Sequence, residues 1–425
     1  MKRLTVFLLA FCLLYGTASA EALRVLNPGW TREVYQAMYP DRTVEEVQIE
    51  YDEIGRSNAQ RLMLENPDSW DVAFIWTDEC DLAALDAAGL LMDLRDEDAL
   101  AGRVKNMHAP IREVVTEGDR VLAVPSFLFS SVMQLAMLPT LRTRDGELDL
   151  LTPLGLSMAD APQTFDELCD LAERYMALPK ETRKGRAFHL DAAAGNPKDY
   201  FLSYLIELYT AQYCDADGAI SYDTPEFRHA LERLESMAAA LQADPKITYG
   251  QTSAVYGLVY DGGPSLLSDY NELLYLRIGD NASVPAKMGM LVVNANTARK
   301  AEALDFAICA VENHEPQFGP ELYETMDYEA LARRSCDQNI EAQIHQKEDQ
   351  SVIDRLIRER DSGEYRYQSR ESIERYAQNV APRLTFARVP WVDRYAIVKE
   401  YIRGRLDVEG LIESLNNAAE KNKIQ

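Results

Sequence analysis

The chain has 425 residues, of which 47% are hydrophobic and 27% are charged, so its composition excludes an intrinsically disordered protein. The chain is longer than most domains with a single hydrophobic core, so its length predicts two domains. The 69 acidic residues outnumber the 44 basic ones, which gives a formal net charge of −25. Such a charge repels nucleic acid and anionic membrane surfaces, so we expect neither as a partner.

The N-terminal segment predicts export. Lys2 and Arg3 precede an apolar run from Leu4 to Tyr15, and Ala18-Ser19-Ala20 then provides small residues suited to signal-peptidase cleavage. The run holds about 12 residues, whereas a membrane-spanning helix needs roughly 20. We therefore expect residues 1–20 to be a cleaved signal peptide and the mature protein to be periplasmic or secreted. Cys12 follows the bulky Phe11, so no lipid anchor is expected.

The cysteines beyond the signal peptide are few and far apart. They are Cys80, Cys169, Cys214, Cys309 and Cys336. An odd number without a CxxC pair excludes a dense disulfide framework and the common zinc motifs. We expect one disulfide at most, and the sequence leaves open which two cysteines would form it.

Strands and helices alternate along the first part of the mature chain. The apolar run Val72–Trp76 is typical of a strand that is buried on both faces. The alternation predicts an α/β fold with a parallel sheet between layers of helices. In chain order the predicted elements are a strand at Leu23–Leu26, a helix from Trp30 to about Tyr39, a strand at Val44–Tyr51, a helix at Ser57–Glu65, the strand Val72–Trp76 and a helix at Leu82–Ala88.

The rest of the chain continues the mixture of strands and helices. Thr164 and Glu167 have the spacing of a capping box, and Pro225 suits the first turn of a helix. The further predicted elements are a strand at Arg120–Val124, an apolar run at Phe127–Met137, helices at Thr164–Leu178 and Asp223–Leu241, strands at Leu273–Ile278 and Met288–Val293, a helix at Thr297–Val311, a mostly helical segment at 320–376 and a last helix at Val408–Ala418.

Catalytic and metal-binding motifs are missing from the sequence. The five histidines are far apart, and none lies in an HExxH arrangement. The chain has no GxSxG nucleophile elbow, no glycine-rich phosphate loop and no EF-hand spacing. We therefore expect no enzyme activity, no metal and no cofactor. Asp78 and Glu79 resemble a carboxylate pair, but in so acidic a chain adjacent carboxylates are common.

Aromatic residues follow or end several predicted elements. Parallel sheets bind ligands at the carboxyl ends of their strands, and aromatic rings stack on the apolar faces of sugars or on cations. Carboxylates beside a ring accept hydrogen bonds from ligand hydroxyls. The candidate ligand-binding residues are Trp30, Trp76, Asp78, Glu79, Tyr256, Tyr260 and Trp391.

The order and spacing of several short motifs resemble those of the extracellular solute-binding proteins of ABC importers, in the carbohydrate-type family that includes maltose-binding protein. The motifs carry the resemblance together, because each alone is short and degenerate. They are Val47-Gln48-Ile49-Glu50, Trp70-Asp71-Val72 followed by the helix that leads to Ala88-Gly89-Leu90-Leu91, the stretch Gly118–Pro125, Pro162–Leu168, Tyr222–Phe227 and Met290–Ala307.

The resemblance implies a two-lobed periplasmic-binding-protein type II fold. Each lobe would be a mostly parallel sheet flanked by helices, and hinge strands would cross between the lobes at Phe127–Gln134 and Leu273–Ile278. One lobe would comprise 21–128 and 274–315, and the other 129–273 and 316–425. The family's sugar-contacting tryptophan and aspartate at a strand end fall on Trp76 and Asp78, beside Glu79.

The resemblance also implies a function without catalysis. We expect the protein to capture a small solute, a sugar or oligosaccharide, between closing lobes, and as a monomer to deliver it to the permease subunits of an ABC transporter. Tyr256 and Tyr260 stand where many relatives have tryptophan, which leaves the ligand open. The alternatives are a polyamine or other cationic solute in the same fold, a ligand sensor for a receptor kinase, and a secreted glycoside hydrolase that uses Asp78 or Glu79.

Overall fold

The fold is described from a computed structural model, which has two hydrophobic cores. It describes residues 22–29, 31–51, 57–130, 134–137, 140–143, 146–149, 155–157, 160–182, 188, 196–215, 218–242, 256–259, 272–274, 276–318, 320–325, 327–345, 349–362, 370–386, 392 and 394–421. None of the helices in these ranges carries an apolar stretch long enough to cross a bilayer.

The first core surrounds a mixed sheet, of which six strands are described. They are β1 (Leu23–Leu26), β2 (Val44–Val47), β3 (Val72–Trp76), β6 (Val124–Ser130), β12 (Val284–Val293) and β13 (Leu384–Thr385), and the hairpin β4 (Thr116–Glu117) with β5 (Arg120–Val121) precedes β6. Their order across the sheet is β13-β12-β3-β1-β2, with β6 paired along β12. The pairs β1–β2, β1–β3 and β12–β13 are parallel, whereas β12 is antiparallel to β3 and to β6.

Helices cover this sheet because its strands are apolar on both faces. Val72, Ala73 and Ile75 of β3 are almost completely buried, as a sandwiched strand requires. The covering helices are α1 (Thr31–Met38), α2 (Ala59–Glu65), α3 (Leu82–Ala87), α4 (Asp98–Lys105), α5 (Ala109–Val115) and α9 (Lys300–Phe318). The predicted α/β class is confirmed.

The second core is mainly helical. Phe165, Leu168, Phe201, Phe227 and Leu276 are among its fully buried side chains. Its helices are α6 (Phe165–Ala177), α7 (Pro197–Tyr213), α8 (Pro225–Gln242), α13 (Arg394–Ile402) and α14 (Val408–Lys421). Its described sheet has the order β10-β7-β11 and is antiparallel, because β10 (Tyr256–Val259) and β11 (Glu272–Leu274) both run against β7 (Gln134–Met137).

The start of α6 shows how the local sequence fixes a helix. The Thr164 hydroxyl accepts a hydrogen bond from the Glu167 N–H, and the Glu167 carboxylate accepts one from the Thr164 N–H. This capping box satisfies two backbone donors that a helix start leaves unpaired. The predicted box and helix are confirmed.

The chain passes between the two cores more than once. It leaves the first sheet after Ser130 and enters the second at Gln134, returns between Leu274 and Val284, and enters the second core again after Thr385. The proposed lobe bounds, 21–128 with 274–315 and 129–273 with 316–425, stay a prediction. Side chains between 322 and 384, which that division gives to the second lobe, pack in the first core: Leu322, Tyr323, Tyr376, Val380, Ala381 and Leu384.

Some predicted strand bounds differ from the observed ones. The second strand ends at Val47 and does not reach Tyr51. The segment predicted as a strand from Arg120 to Val124 divides into the end of a hairpin and the start of β6. The predicted helices between 320 and 376 are observed as α10 (Tyr328–His345), α11 (Gln350–Ser362) and α12 (Arg370–Asn379). Elsewhere in the described chain, short 3₁₀ turns lie at Pro67–Ser69, Pro320–Leu322 and Ala381–Arg383, and β8 (Thr140–Thr143) forms a hairpin with β9 (Gly146–Asp149). No disulfide joins any of the five cysteines Cys80, Cys169, Cys214, Cys309 and Cys336, which all lie within the described ranges.

Candidate functional site

Trp76 forms the centre of an aromatic cluster at the end of β3. Its ring lies 5.5 Å from the ring of Phe129 and 6.3 Å from that of Phe127, centroid to centroid. Phe74 meets Trp76 edge to face at 5.4 Å. These contacts hold the indole, which is only partly buried, in a fixed orientation at the strand end. A rigid, partly exposed aromatic face is suited to stacking on a ligand.

Gly289 on the neighbouring strand provides the room for this cluster. It lies opposite Trp76 in the antiparallel pairing of β12 with β3. A Cβ at this position would lie 2.5 Å from Cζ of Phe74 and 3.2 Å from Cη2 of Trp76. Since atoms cannot approach so closely, any side chain here would push the aromatic rings aside.

The loop Thr77–Asp81 is anchored on both sides. The Thr77 N–H donates to the Met288 carbonyl at 3.0 Å, and the Met288 N–H donates to the Thr77 hydroxyl at 3.0 Å. At its other end the Asp81 carboxylate caps α3 by accepting the N–H groups of Ala83 and Ala84. Asp78 and Glu79 are therefore presented by a loop with a defined backbone.

The two carboxylates differ in their hydrogen bonds. The Ser57 hydroxyl donates to the Glu79 carboxylate at 2.6 Å. Oδ1 of Asp78 is buried and accepts no hydrogen bond from the described residues. A buried oxygen without a donor is costly, so Asp78 has the capacity to accept a hydrogen bond from a ligand.

Lys287 brings a positive charge to the same place. Its Nζ lies 5.4 Å from the centroid of the Trp76 ring, which is within cation–π range. Burial raises the pKa of Asp78, and the charge of Lys287 opposes that increase. Burial also raises the pKa of Glu79, as does the charge of Asp78, whereas the Ser57 hydrogen bond and Lys287 act in the opposite direction.

His314 links the aromatic cluster to the beginning of α1. Its ring centroid lies 4.4 Å from that of Phe127, and its Nε2 lies 3.2 Å from the Thr31 hydroxyl. Thr31 is the residue directly after Trp30. Burial lowers the pKa of His314 to about 4, so the imidazole is neutral at neutral pH.

A cavity of about 820 Å³ lies beside this loop, between the two cores. Thr77, Cys80 and Asp81 line it from the side of the first core, together with Leu384. Ala211, Gln212 and Cys214, at the end of α7, line it from the side of the second core. Its volume is within the range of small-molecule sites.

The structure brings together three of the seven predicted site residues. Trp76, Asp78 and Glu79 share one strand end. Trp30, Tyr260 and Trp391 lie outside the described residues, and Tyr256 lies in β10, of which the backbone alone is described. Whether these four converge on Trp76 stays a prediction.

Sequence reasoning missed Lys287, Ser57 and the phenylalanines of β6. Lys287 and Phe129 are directly paired across β12 and β6, and this register depends on segments more than 150 residues apart. The alternation Phe127-Leu128-Phe129 within a strand was the only local signal, since it places both rings on one face.

No cluster of three or more His, Cys, Asp or Glu side chains suited to a metal ion occurs within the described ranges. The described part of the site thus consists of a stacking ring, two carboxylates, a hydroxyl and an ammonium group. This set can hold a polar solute by stacking and hydrogen bonding.

Comparison with known proteins gives matches at the level of structure. No family model matches the sequence, and no curated protein matches it. Among solved structures, an ABC transporter solute-binding protein from Agrobacterium vitis S4 with bound D-mannitol has a TM-score of 0.50 at 14% identity, over 94% of this chain and 97% of that one. Maltose-bound MalE3 of T. maritima has a TM-score of 0.51 at 15% identity, over 94% and 99%. The chain has the fold of ABC-transporter solute-binding proteins.

A third solved structure matches over a similar share of the chain. It comes from work on xylan utilization by Caldanaerobius polysaccharolyticus and has a TM-score of 0.52 at 14% identity, over 94% of this chain and 99% of that one. The predicted maltose-binding-protein-like fold is confirmed.

Proposed function

We propose that this protein is an extracytoplasmic solute-binding protein that captures a small carbohydrate between two closing lobes and delivers it to an ABC permease. The observation that carries the proposal is Trp76, a fixed aromatic face at a strand end beside the buried Oδ1 of Asp78, to which none of the described residues donates a hydrogen bond. The mannitol- and maltose-bound structures with the same fold support a sugar or polyol as the ligand class.

Domain closure provides the mechanism. A ligand that touches groups on both sides of the inter-core cavity stabilises the closed state more than the open one, and only that difference shifts the equilibrium. Trp76 stacks on the ligand, and Asp78 and Glu79 accept hydrogen bonds from its hydroxyls. No step makes or breaks a covalent bond, so the protein acts by binding and not as an enzyme. It is proposed to act as a monomer that is exported by its signal peptide.

The test is a thermal-shift screen of the mature protein against D-mannitol, maltose, other neutral sugars, putrescine, spermidine and amino acids. A ligand present at 100 times its dissociation constant stabilises the folded state by about 2.7 kcal/mol, which raises the melting temperature by several degrees. We expect a neutral sugar or polyol to do so. A shift with amines or amino acids alone would contradict the proposal.

The carboxylates give a second candidate, a cationic solute such as a polyamine. Asp78 and Glu79 lie together in a chain with a net charge of −25, which would attract amines. Lys287 beside them argues against it, since it already supplies a positive charge. Calorimetry at 20 mM and 500 mM salt separates the two, because polyamine affinity falls with ionic strength and sugar affinity hardly changes.

A further inference from the structure

Tyr51 is an exposed aromatic residue just beyond the end of β2. The strand ends at Val47, and 60% of the Tyr51 surface is accessible. Among the exposed large hydrophobic side chains of the described ranges, Tyr395 alone reaches a similar value, 61%. A single exposed aromatic ring is ordinary on a protein surface, so the surroundings of Tyr51 decide what it can do.

The backbone of Tyr51 is paired with that of Ser57. The two residues form an antiparallel bridge, and next to it the Asn58 N–H donates to the Glu50 carbonyl at 2.9 Å. The Glu50 N–H donates to Oδ1 of Asn58 at 3.0 Å. Facing residues of an antiparallel pair carry their side chains on the same face, with Cβ atoms roughly 5 Å apart. The Tyr51 side chain therefore begins beside the Ser57 hydroxyl.

Ser57 connects Tyr51 to the candidate site. Its hydroxyl donates to the Glu79 carboxylate at 2.6 Å. The Glu79 N–H in turn donates to the Trp76 carbonyl at 3.1 Å, within the turn that follows β3. The Glu79 carboxylate thus lies between the segment that carries Tyr51 and the strand that carries Trp76.

A second hydrogen bond fixes the same two segments to each other. Oε1 of Gln60, in the first turn of α2, accepts the Asp81 N–H at 2.6 Å. The segment around Tyr51 is therefore attached at two points to the loop that presents the carboxylates. Its position relative to them is defined by contacts and not only by the course of the chain.

The sheet sets the spacing between the two aromatic residues. β2 and β3 both pair in parallel with β1, which lies between them. Their carboxyl ends consequently lie at one edge of the sheet, about 10 Å apart. Trp76 is the last residue of β3, and Tyr51 follows β2 at this edge. A solute that stacks on Trp76 and also reaches Tyr51 is longer than a single sugar ring.

We propose that Tyr51 is a second stacking surface of the site, and that the solute is an oligosaccharide of at least two sugar units that extends from Trp76 to Tyr51. The inference rests on the proposed function and names the length class of the ligand. A tyrosine ring offers a large apolar face and loses little conformational entropy on binding, since it has two side-chain torsions. Glu79, between the two rings, accepts hydrogen bonds from hydroxyls of the bound sugar units.

The test is isothermal titration with neutral sugars of increasing length. The probes are D-glucose, maltose and maltotriose, and D-xylose, xylobiose and xylotriose. The proteins are the mature parent and its Tyr51→Ala, Tyr51→Phe and Tyr395→Ala variants. Tyr395→Ala is the matched control, because Tyr395 is as exposed as Tyr51 but lies on α13 in the second core.

We expect the affinity of the parent to rise with length in at least one series. Tyr51→Ala should weaken trisaccharide binding about tenfold and monosaccharide binding by less, because the first sugar unit lies on Trp76. Tyr51→Phe keeps the ring and should stay within about threefold of the parent. Tyr395→Ala should bind like the parent. Exposed substitutions change stability little, so the variants should share the melting temperature of the parent.

Three results would overturn the proposal. They are a parent that binds each monosaccharide as tightly as its trisaccharide, a Tyr51→Ala protein with the affinity of the parent at every length, and an equal loss in Tyr51→Ala at every length. In each case the binding of a neutral sugar leaves the solute-binding function standing and removes Tyr51 from the site. If no neutral sugar of any length binds, the proposed function fails and this inference fails with it.

Discussion

The Trp76 ring has a fixed orientation and is also partly exposed. Phe74, Phe127 and Phe129 fix its ring by close contacts, while part of the indole stays accessible. A pre-oriented ring loses little conformational entropy when a ligand stacks on it, so the contact contributes more of its energy to binding.

Replacing Trp76 by alanine should therefore weaken binding of the carbohydrate that the screen identifies by tenfold or more, since stacking and buried area are both lost. Isothermal titration measures the affinity. Tyr395→Ala is the control, because Tyr395 is an aromatic residue with 61% of its surface exposed. An unchanged affinity in the Trp76 variant would remove this residue from the site.

Residue-level prediction succeeded where the signal was local. The apolar run that ends at Trp76 and the polar residues behind it are contiguous, so their placement at a strand end followed from pattern alone. Lys287 could not be found in this way. Its position beside Trp76 depends on the register of β12 between β3 and β6, which long-range pairing fixes.

The strand β12 organises the first core at the level of elements. It pairs with β3, β6 and β13 and so joins segments that are far apart in sequence. The sequence predicted only its second half, from Met288 onward, because Pro285 cannot donate to a ladder and Lys287 interrupts the apolar pattern. At this end β12 pairs with the two residues of β13, and Pro285 lies opposite Thr385.

Two glycine substitutions should act in opposite directions. Gly289→Ala would bring a methyl group within 2.5 Å of the Phe74 ring, and we expect a loss of about 1–3 kcal/mol in unfolding free energy with a displaced Trp76. Gly102→Ala, in the middle of α4 with open space around its Cα, should gain about 0.5–1 kcal/mol.

Urea unfolding followed by tryptophan fluorescence measures both changes. A Gly289→Ala protein as stable as the parent would show that the strand can shift to accommodate the methyl group. In that case the close fit of β12 under the aromatic cluster would not constrain Trp76.

For the whole molecule, buried ionisable groups link stability to pH. The pKa of His314 falls from 6.5 in the unfolded chain to about 4 in the fold because of burial. Between these values the unfolded chain binds more protons, so stability rises with pH in this window and is lost as pH falls from 6.5 to 4. The loss is about 3 kcal/mol by linkage.

His314→Gln should remove this dependence, because glutamine does not titrate and keeps a hydrogen-bonding group near Thr31. Urea midpoints at several pH values between 4 and 7.5 measure it in both proteins. Burial raises the pKa of Asp71, but its hydrogen bonds and ion pair with Arg24 lower it more, so the net shift is downward. The contribution of Asp71 to stability is therefore lost only as pH falls below about 4. The pKa values of Asp78 and Glu79 are raised, so these carboxylates change stability with pH in the opposite direction. Asp71, Asp78 and Glu79 are present in both proteins, so their contributions cancel when the two are compared. Equal pH slopes in the two proteins would contradict the assignment.

The whole-molecule arrangement followed from the sequence only through the resemblance to a family. Helix patterns and the capping box at Thr164 indicated which elements exist. They did not indicate that side chains between 322 and 384 join the first core, since that choice depends on which apolar surfaces meet after the chain has crossed between the cores.

Gln212 has a consequence for how such a chain can change over evolutionary time. Its single amide group donates to the carbonyl of Leu276 and accepts the N–H of Ile278, so it holds the backbone on both sides of residue 277. Glutamate lacks the donor, leucine lacks both groups, and asparagine is shorter by one methylene. Residues of the proposed ligand-binding site can change without disturbing these two hydrogen bonds, whereas position 212 is free to vary only if the backbone at 276–278 moves with it.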